Sequence, residues 1–209
     1  MSKKMVLWVI AALLLLGAAI WGPIVSNVEQ ARYQIVDLND NTEIREYPSA
    51  IVAETEVSGE RNEAISQGFR TIADYIFGNN TSAQKVAMTA PVTQQRVGEL
   101  AMAAPVTQQG DGLTWRVRFF MPAGLTIETL PRPNNPNVKL KELSGKRFAV
   151  IRFSGVASQE SLKLHTEELN RFVRGKHLNA LSSPAYAFYN PPWTLPFLRR
   201  NEVMVEIAG

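Results

Sequence analysis

The sequence predicts an α+β domain in which one curved antiparallel sheet or barrel carries two helices, and three observations lead there. Several short stretches alternate apolar and polar residues with the period of a strand, two longer stretches repeat apolar residues with the period of a helix, and the first half of this pattern returns in the second. Ile44-Arg-Glu-Tyr47 and Val57-Ser-Gly59 lie over Leu140-Lys-Glu-Leu143 and Phe153-Ser-Gly155 at a constant offset of 96, with a helical stretch following in both copies. Two hairpin-helix-hairpin units are implied, and with only two copies they suit a pseudo-twofold single domain better than a solenoid.

The elements follow in order. Tyr33–Leu38 and Glu43–Tyr47 read as a hairpin about Asn39-Asp40-Asn41, residue types that favour turns. From Ala50 to Val57, Ile51, Ala53, Thr55 and Val57 alternate against Val52, Glu54 and Glu56. The two glutamates share a face and read as a solvated edge. Ser58-Gly59 ends the strand, and a helix runs to about Phe77 with Ile65, Phe69, Ile72, Ala73 and Ile76 as its apolar stripe. Such a stripe serves either as core or as the wall of an apolar pocket. Leu113–Met121 places Trp115, Val117 and Phe119 inward and Arg116 and Arg118 outward. The second helix, about Ser158 to Arg174, carries Leu162, His165, Leu169, Phe172 and Val173 on one stripe. Strands Ala185–Tyr189 and Glu202–Ile207 close the fold around a Pro-rich loop with Trp193 and Phe197.

Between the units lies a local duplication. Val86-Ala-Met-Thr-Ala-Pro-Val-Thr-Gln-Gln95 returns fourteen residues later as Leu100-Ala-Met-Ala-Ala-Pro-Val-Thr-Gln-Gln109. Both copies have strand periodicity, and Pro91 and Pro105 mark an edge, a bulge or a departure from the sheet. Met88 and Met102 offer soft apolar contact to a flat ligand.

Composition removes several classes of function. The chain has no cysteine, so disulfides, thiolate metal sites, cysteine nucleophiles and a cysteine-linked lipid anchor are excluded. Two histidines give no His-x-x-x-His spacing, and neither a nucleophile–base pair nor a phosphate loop stands out. The 22 basic residues include Lys3 and Lys4; without them 20 face 19 acids, so the basic balance is no argument for nucleic acid as a partner, which would want a clustered basic face.

Met5–Gly22 is an uninterrupted apolar run of 18 residues behind Lys3 and Lys4, with Trp8 and Trp21 near its ends. At 1.5 Å per residue it spans about 27 Å, enough for a thin bilayer. Flanking lysines favour a cytoplasmic N-terminus, which puts the domain on the periplasmic or outer side of the inner (cell) membrane as a single-pass protein. The expected division is residues 1–4 cytoplasmic, 5–25 anchor, 26–31 linker and 32–209 domain. A cleaved signal peptide is the rival reading, since Gly17-Ala-Ala19 supplies small residues.

Lys85-Val-Ala-Met-Thr-Ala-Pro-Val-Thr93 resembles the signature of the SOUL haem-binding family. The family's other marks follow in order: Ile44-Arg-Glu-Tyr-Pro48, Gly68-Phe69, Ile76-Phe-Gly-Asn79, Phe119-Phe-Met-Pro122, Val150-Ile-Arg-Phe-Ser-Gly155, Tyr189-Asn-Pro-Pro192 and Arg200-Asn-Glu-Val203. The resemblance implies a distorted antiparallel barrel with two helices, and a haem or tetrapyrrole surface between the first helix and the loop before the last strand. Carried over, it implies Ile65, Phe69, Ile72 and Ala73 on one side and Pro192 and Trp193 on the other. Arg199 and Arg200 are then propionate partners, because guanidinium binds carboxylate bidentately; their alternative is a pair of exposed arginines beside Glu202. Some animal members carry a proposed histidine ligand where this chain has Glu46, so that ligation is missing. His165 is the remaining candidate axial ligand, against a structural role on the helix; Tyr75 or Met88 could ligate only if geometry allowed. The expected function is a membrane-anchored haem buffer or carrier. The alternatives are a binder of another apolar, amphipathic small molecule and a hydrolytic domain, since the two-copy design also resembles gyrase-inhibitor-like effector-binding domains, in which a groove glutamate would act as base.

Overall fold

The structure, a computed structural model, describes residues 28–98 and 114–209. The apolar N-terminal run and the second copy of the duplicated stretch lie outside the described residues. Among those described, no helix is long and apolar enough to cross a membrane.

Eleven strands and two α-helices are present among the described residues: β1 Glu29–Gln30, β2 Gln34–Asn39, β3 Thr42–Tyr47, β4 Ala50–Ser58, α1 Arg61–Ile76, β5 Thr89–Ala90, β6 Val92–Arg96, β7 Thr114–Phe120, β8 Lys139–Leu143, β9 Lys146–Phe153, α2 Gln159–Gly175, β10 Ala185–Phe188 and β11 Asn201–Ile207. Nine strands form one antiparallel sheet in the order β2-β3-β9-β11-β10-β6-β7-β4-β8. The sheet has two free edges, so the expected barrel is corrected to a curled half-barrel: β2 and β8 do not meet. β1 and β5 make a separate two-residue parallel pair.

The two units exchange strands. β3 and β4 are consecutive but do not pair with each other; β3 pairs with β9 and β4 with β8, so each unit's first strand is added to the other unit. The expected hairpin about Asn39-Asp40-Asn41 is present as β2–β3; it is β3 with β4, and β8 with β9, that take cross-unit partners, whereas β6–β7 and β10–β11 pair within their units. Apart from the edge strand β2, which has no counterpart, the order is symmetric about the β6–β10 pair. Gly59 and Gly155, equivalent in the repeat, both have positive φ (123° and 99°), where the chain turns from strand into helix. Beyond those corners Arg61 Nη2 donates to the carbonyl of Ala157, its equivalent position, at 3.2 Å, so the two helix starts meet near the pseudo-axis.

The duplicated stretch is less regular than its pattern. Residues 85–88 form no strand, and Pro91, which has no N–H to donate, separates the two residues of β5 from β6.

Both helices lie on one face of the sheet, α1 over β4 and β7, α2 over β9 and β11. Ile72 and Ile76 pack on Ala53, Val117, Phe119 and Met121; Leu162, Leu169 and Val173 pack on Ile44, Ala149, Ile151, Val203 and Val205. A Ser158 cap starts α2, its hydroxyl accepting from Ser161 N at 3.1 Å. α1 approaches so closely that a Cβ on Gly68 would sit 2.6 Å from Val117 Cγ2.

The opposite face is charged and largely buried. Glu54, expected on a solvated edge, is 2% exposed on an interior strand, because Arg118 (2.9 Å), Lys141 (2.5 Å) and Arg116 (3.8 Å) converge on it. At the other end of this face Arg45 on β3 donates to both oxygens of Glu202 on β11, at 2.9 and 3.0 Å, and neither side chain is exposed. Tyr189 Oη (2.8 Å) and Arg200 Nε (2.9 Å) also donate to Glu202, and Arg45 Nε reaches Glu43 at 2.5 Å. Burial opposes ionisation of Glu202 most strongly, but the hydrogen bonds and charge of Arg45, with Arg200 and Tyr189, outweigh it and hold the carboxyl below its ordinary 4.5. Burial, then the Glu202 charge, raises the Tyr189 hydroxyl well above 10.

Gly68→Ala should destabilise the domain by about 1–2 kcal/mol: overpacking against the stiff, buried Val117 costs about 1–3 kcal/mol, more than the roughly 1 kcal/mol gained in helix propensity. Denaturant unfolding measures it. Glu202→Gln should cost about 3–5 kcal/mol at neutral pH by leaving buried arginine charge uncompensated. Because the folded carboxyl is depressed, its contribution is complete above the ordinary value and lost as pH falls through the folded one. The gap between wild type and variant in urea should therefore stay constant above about pH 5 and close below it.

Candidate functional site

Phe69, Val92 and Phe188 begin the surface that the sequence points to. In the sheet, Phe119 of β7 lies opposite Val92 of β6, Val92 opposite Phe188 of β10, and Phe188 opposite Asn201 of β11. Residues opposite one another share a face, and Phe119 faces α1, where the Phe69 ring rests on it with centroids 5.2 Å apart. The loop of residues 189–200 leaves and rejoins the sheet at this same row. Val92 and Phe188 are half-buried on the two strands between the helices, and Phe69 is 38% exposed beside them.

The loop holds its aromatic side chains outward. Trp193 is 65% and Phe197 70% exposed, with Leu198 at 40%. Arg199 straps the loop from within, donating to the carbonyls of Thr194 (2.7 Å) and Pro192. The Pro196 carbonyl accepts from Gly155 N at 2.9 Å, and Asn190 Oδ1 accepts from Arg200 N at 2.7 Å. Residues 196–198 form a 3₁₀ turn. A rigid frame presenting exposed apolar rings at one end of a sheet is what a flat apolar ligand requires.

The other implied residues fall as follows. Ile65 is half-buried, while Ile72 and Ala73 are buried in the core beneath α1. Pro192 is exposed next to Trp193. Arg200 is not on this surface: it donates to Glu202, to Tyr33 Oη (3.1 Å) and to Gln30 Oε1 (3.1 Å), and its guanidinium lies 3.9 Å over the Tyr189 ring. His165 stacks on Phe153 at 4.1 Å, and its Nδ1 lies 3.3 Å from Glu168 Oε2. Tyr75 is buried, donates to the Pro131 carbonyl at 2.9 Å, and burial pushes its hydroxyl up to about 12. Met88 is half-buried against the core under α1. No cluster of three or more His, Cys, Asp or Glu side chains with metal-holding geometry occurs among the described residues.

Two features had no signal in the sequence. Gln94 is fully buried on the helix side, its Nε2 donating to Arg61 O at 2.9 Å while Oε1 has no partner. A cavity of about 470 Å³ opens at the end of the sheet beside the N-terminal stretch, between Glu29–Arg32, Tyr47–Ile51, the end of β7, loop residues 122–128 and Glu142. Neither the α1 stripe nor the 189–200 loop contributes to it.

Among solved structures, the chain is similar to the EcmrR C-terminal domain (12% identity, 84% of this chain and 98% of that one, TM-score 0.58). It is also similar to an uncharacterized conserved protein from Listeria innocua (13%, 80% and 92%, 0.55) and a hydrolase from Listeria innocua (12%, 83% and 94%, 0.54). At such identities the likeness is one of fold. No curated protein sequence matches the chain. The model of the SOUL heme-binding protein family, however, matches residues 28–206, nearly the whole described domain, and the chain belongs to that family.

Proposed function

We propose that the chain binds haem or a related tetrapyrrole on the apolar surface framed by Phe69, Val92, Phe188 and the 189–200 loop, and serves as a membrane-anchored buffer or carrier. The observation that carries this is the pair of strongly exposed aromatics, Trp193 and Phe197, on a strapped loop of a family named for haem binding. Apolar rings suit the macrocycle face, while Arg200 is committed to Glu202 and Arg199 to loop carbonyls, so the propionates would lie toward solvent. His165, held by Phe153 and Glu168, supports binding without a protein axial ligand from α2. Bound haem would supply redox-active iron; the protein's part is to hold the ring and limit its exposure to water.

The 18-residue apolar run and the preceding lysines support an uncleaved single-pass anchor, with the domain on the periplasmic or outer side. The cavity beside the N-terminal stretch favours a second reading, a site for another amphipathic small molecule, its size lying within the usual range for such ligands. Hydrolysis gains nothing from Glu54 or Glu202: arginines, with Lys141 at Glu54, hold both carboxyls low against burial, which makes them weak bases.

Haemin titration of the full chain in detergent, followed in the Soret region, tests the first reading. Saturable binding is expected, weakened about tenfold (1.4 kcal/mol) by Phe69→Asp or Trp193→Ala and unchanged by His165→Ala. Absence of saturable binding in the wild type would overturn it; cavity-directed binding would survive both apolar-surface substitutions.

A further inference from the structure

Residues 28–33 run along the charged face of the sheet and are fastened to it throughout. β1 pairs with β5, Ala31 N donates to Ala90 O at 2.9 Å, and Glu29 Oε1 accepts from Ala123 N at 3.0 Å. Gln30 and Tyr33 accept from Arg200, and the Arg45 guanidinium lies 4.2 Å over the Tyr33 ring. The domain therefore does not swing about these residues.

Beside this strap lie exposed aliphatics that the core does not use. Ile35 and Leu38 on the edge strand β2 are 51% and 62% exposed, and they stand opposite Arg45 and Glu43, hence on the same face. Leu125 and Ile127, at 37% and 40%, line the cavity together with Glu29–Arg32.

The sequence leaves only residues 23–27 between the apolar run ending at Gly22 and Val28. Fully extended, that connection reaches about 20 Å, while the headgroup layer is about 5–7 Å thick on each side of the hydrocarbon core. A tether this short keeps the Val28 end of the strapped face near the membrane. Resting on the anchor proposed above, we infer that the domain lies on the phospholipid headgroup layer of its own membrane through the charged sheet face, with Ile35, Leu38, Leu125 and Ile127 as its contacts. Apolar insertion rather than charge drives the contact, since Arg32 at the cavity is accompanied by Glu29, Glu128 and Glu142. Phe69, on the helix side, stays open to water.

Because the chain has no cysteine, single cysteines report position cleanly. The full chain is placed in phosphatidylcholine nanodiscs, and a nitrobenzoxadiazole label at Ile35→Cys, Leu125→Cys or Leu164→Cys is quenched by doxyl lipid. Leu164 is 57% exposed on α2, which covers the opposite face of the sheet, and serves as the reference. The expected result is quenching at 35 and 125 at least twofold stronger than at 164 and insensitive to salt. Equal quenching at the three positions, stronger quenching at 164, or quenching abolished by salt, in a chain the discs retain, overturns the orientation and leaves the anchor standing. A chain that the discs do not retain overturns both.

Discussion

The Arg45–Glu202 pair joins two strands that belong to different halves of the chain, and the architecture depends on that join. β3 comes from the first unit, β11 from the second, and β9 lies between them. Taking both charges out of water is costly, and the cost is offset only where every donor and lone pair is used. Here Arg45 serves Glu202, Glu43 and Tyr47, and Glu202 also receives Tyr189 and Arg200. A β3 shifted by one residue would turn Arg45 toward Leu162 and Leu169 with no partner, so the ion pair fixes the register of the exchanged strand.

From this pair the order extends to the N-terminal stretch. Arg200 is held by Glu202, and Arg200 in turn holds Gln30 and Tyr33. Residues whose composition reads as a linker are thereby fastened to the domain, beginning with the two residues of β1. A local pattern of apolar residues could not show this, because the contacts, Arg200 with Gln30 and Tyr33 and Val28 with the cluster of Val150 and Met204, join positions far apart in sequence.

Legibility in the sequence followed the same division. Alternation and the 3.6-residue stripes placed most strands and both helices within a few residues, because each reflects which side of a local element meets the core. The Gly59/Gly155 repeat identified the two strand-to-helix corners. Pairing was less readable: the β2–β3 hairpin was legible from its turn residues, but nothing near β3 or β4 says that each also joins the other unit rather than one another. Burial of charge was equally hidden, and Glu54 reads as a surface residue until Arg118 and Lys141 are brought to it from 64 and 87 positions away. In the α1 stripe, one period describes both Ile72, which is core, and Phe69, which keeps more than a third of its surface; only the position of β7 beneath the helix separates them. Arg200 shows the same limit, since its type suits a propionate but its neighbours are Glu202 and Tyr33.

Placing the helices on one face of the half-barrel gives the domain two unlike sides. A ring bound at Phe69, as proposed, would lie on the helix side, while the N-terminal stretch packs on the other. A carrier must present its ligand to a donor or acceptor while remaining tethered, and these two demands conflict if ligand surface and tether share a face. On the proposed function, the separation would remove the conflict without a moving part. It also explains why the polar network belongs on the tether side: an open sheet uncovered by helices needs its charges paired there, and those same pairs are available to hold the strap. The helix side is packed with aliphatic residues, and the ring binding proposed there would rest on apolar contact.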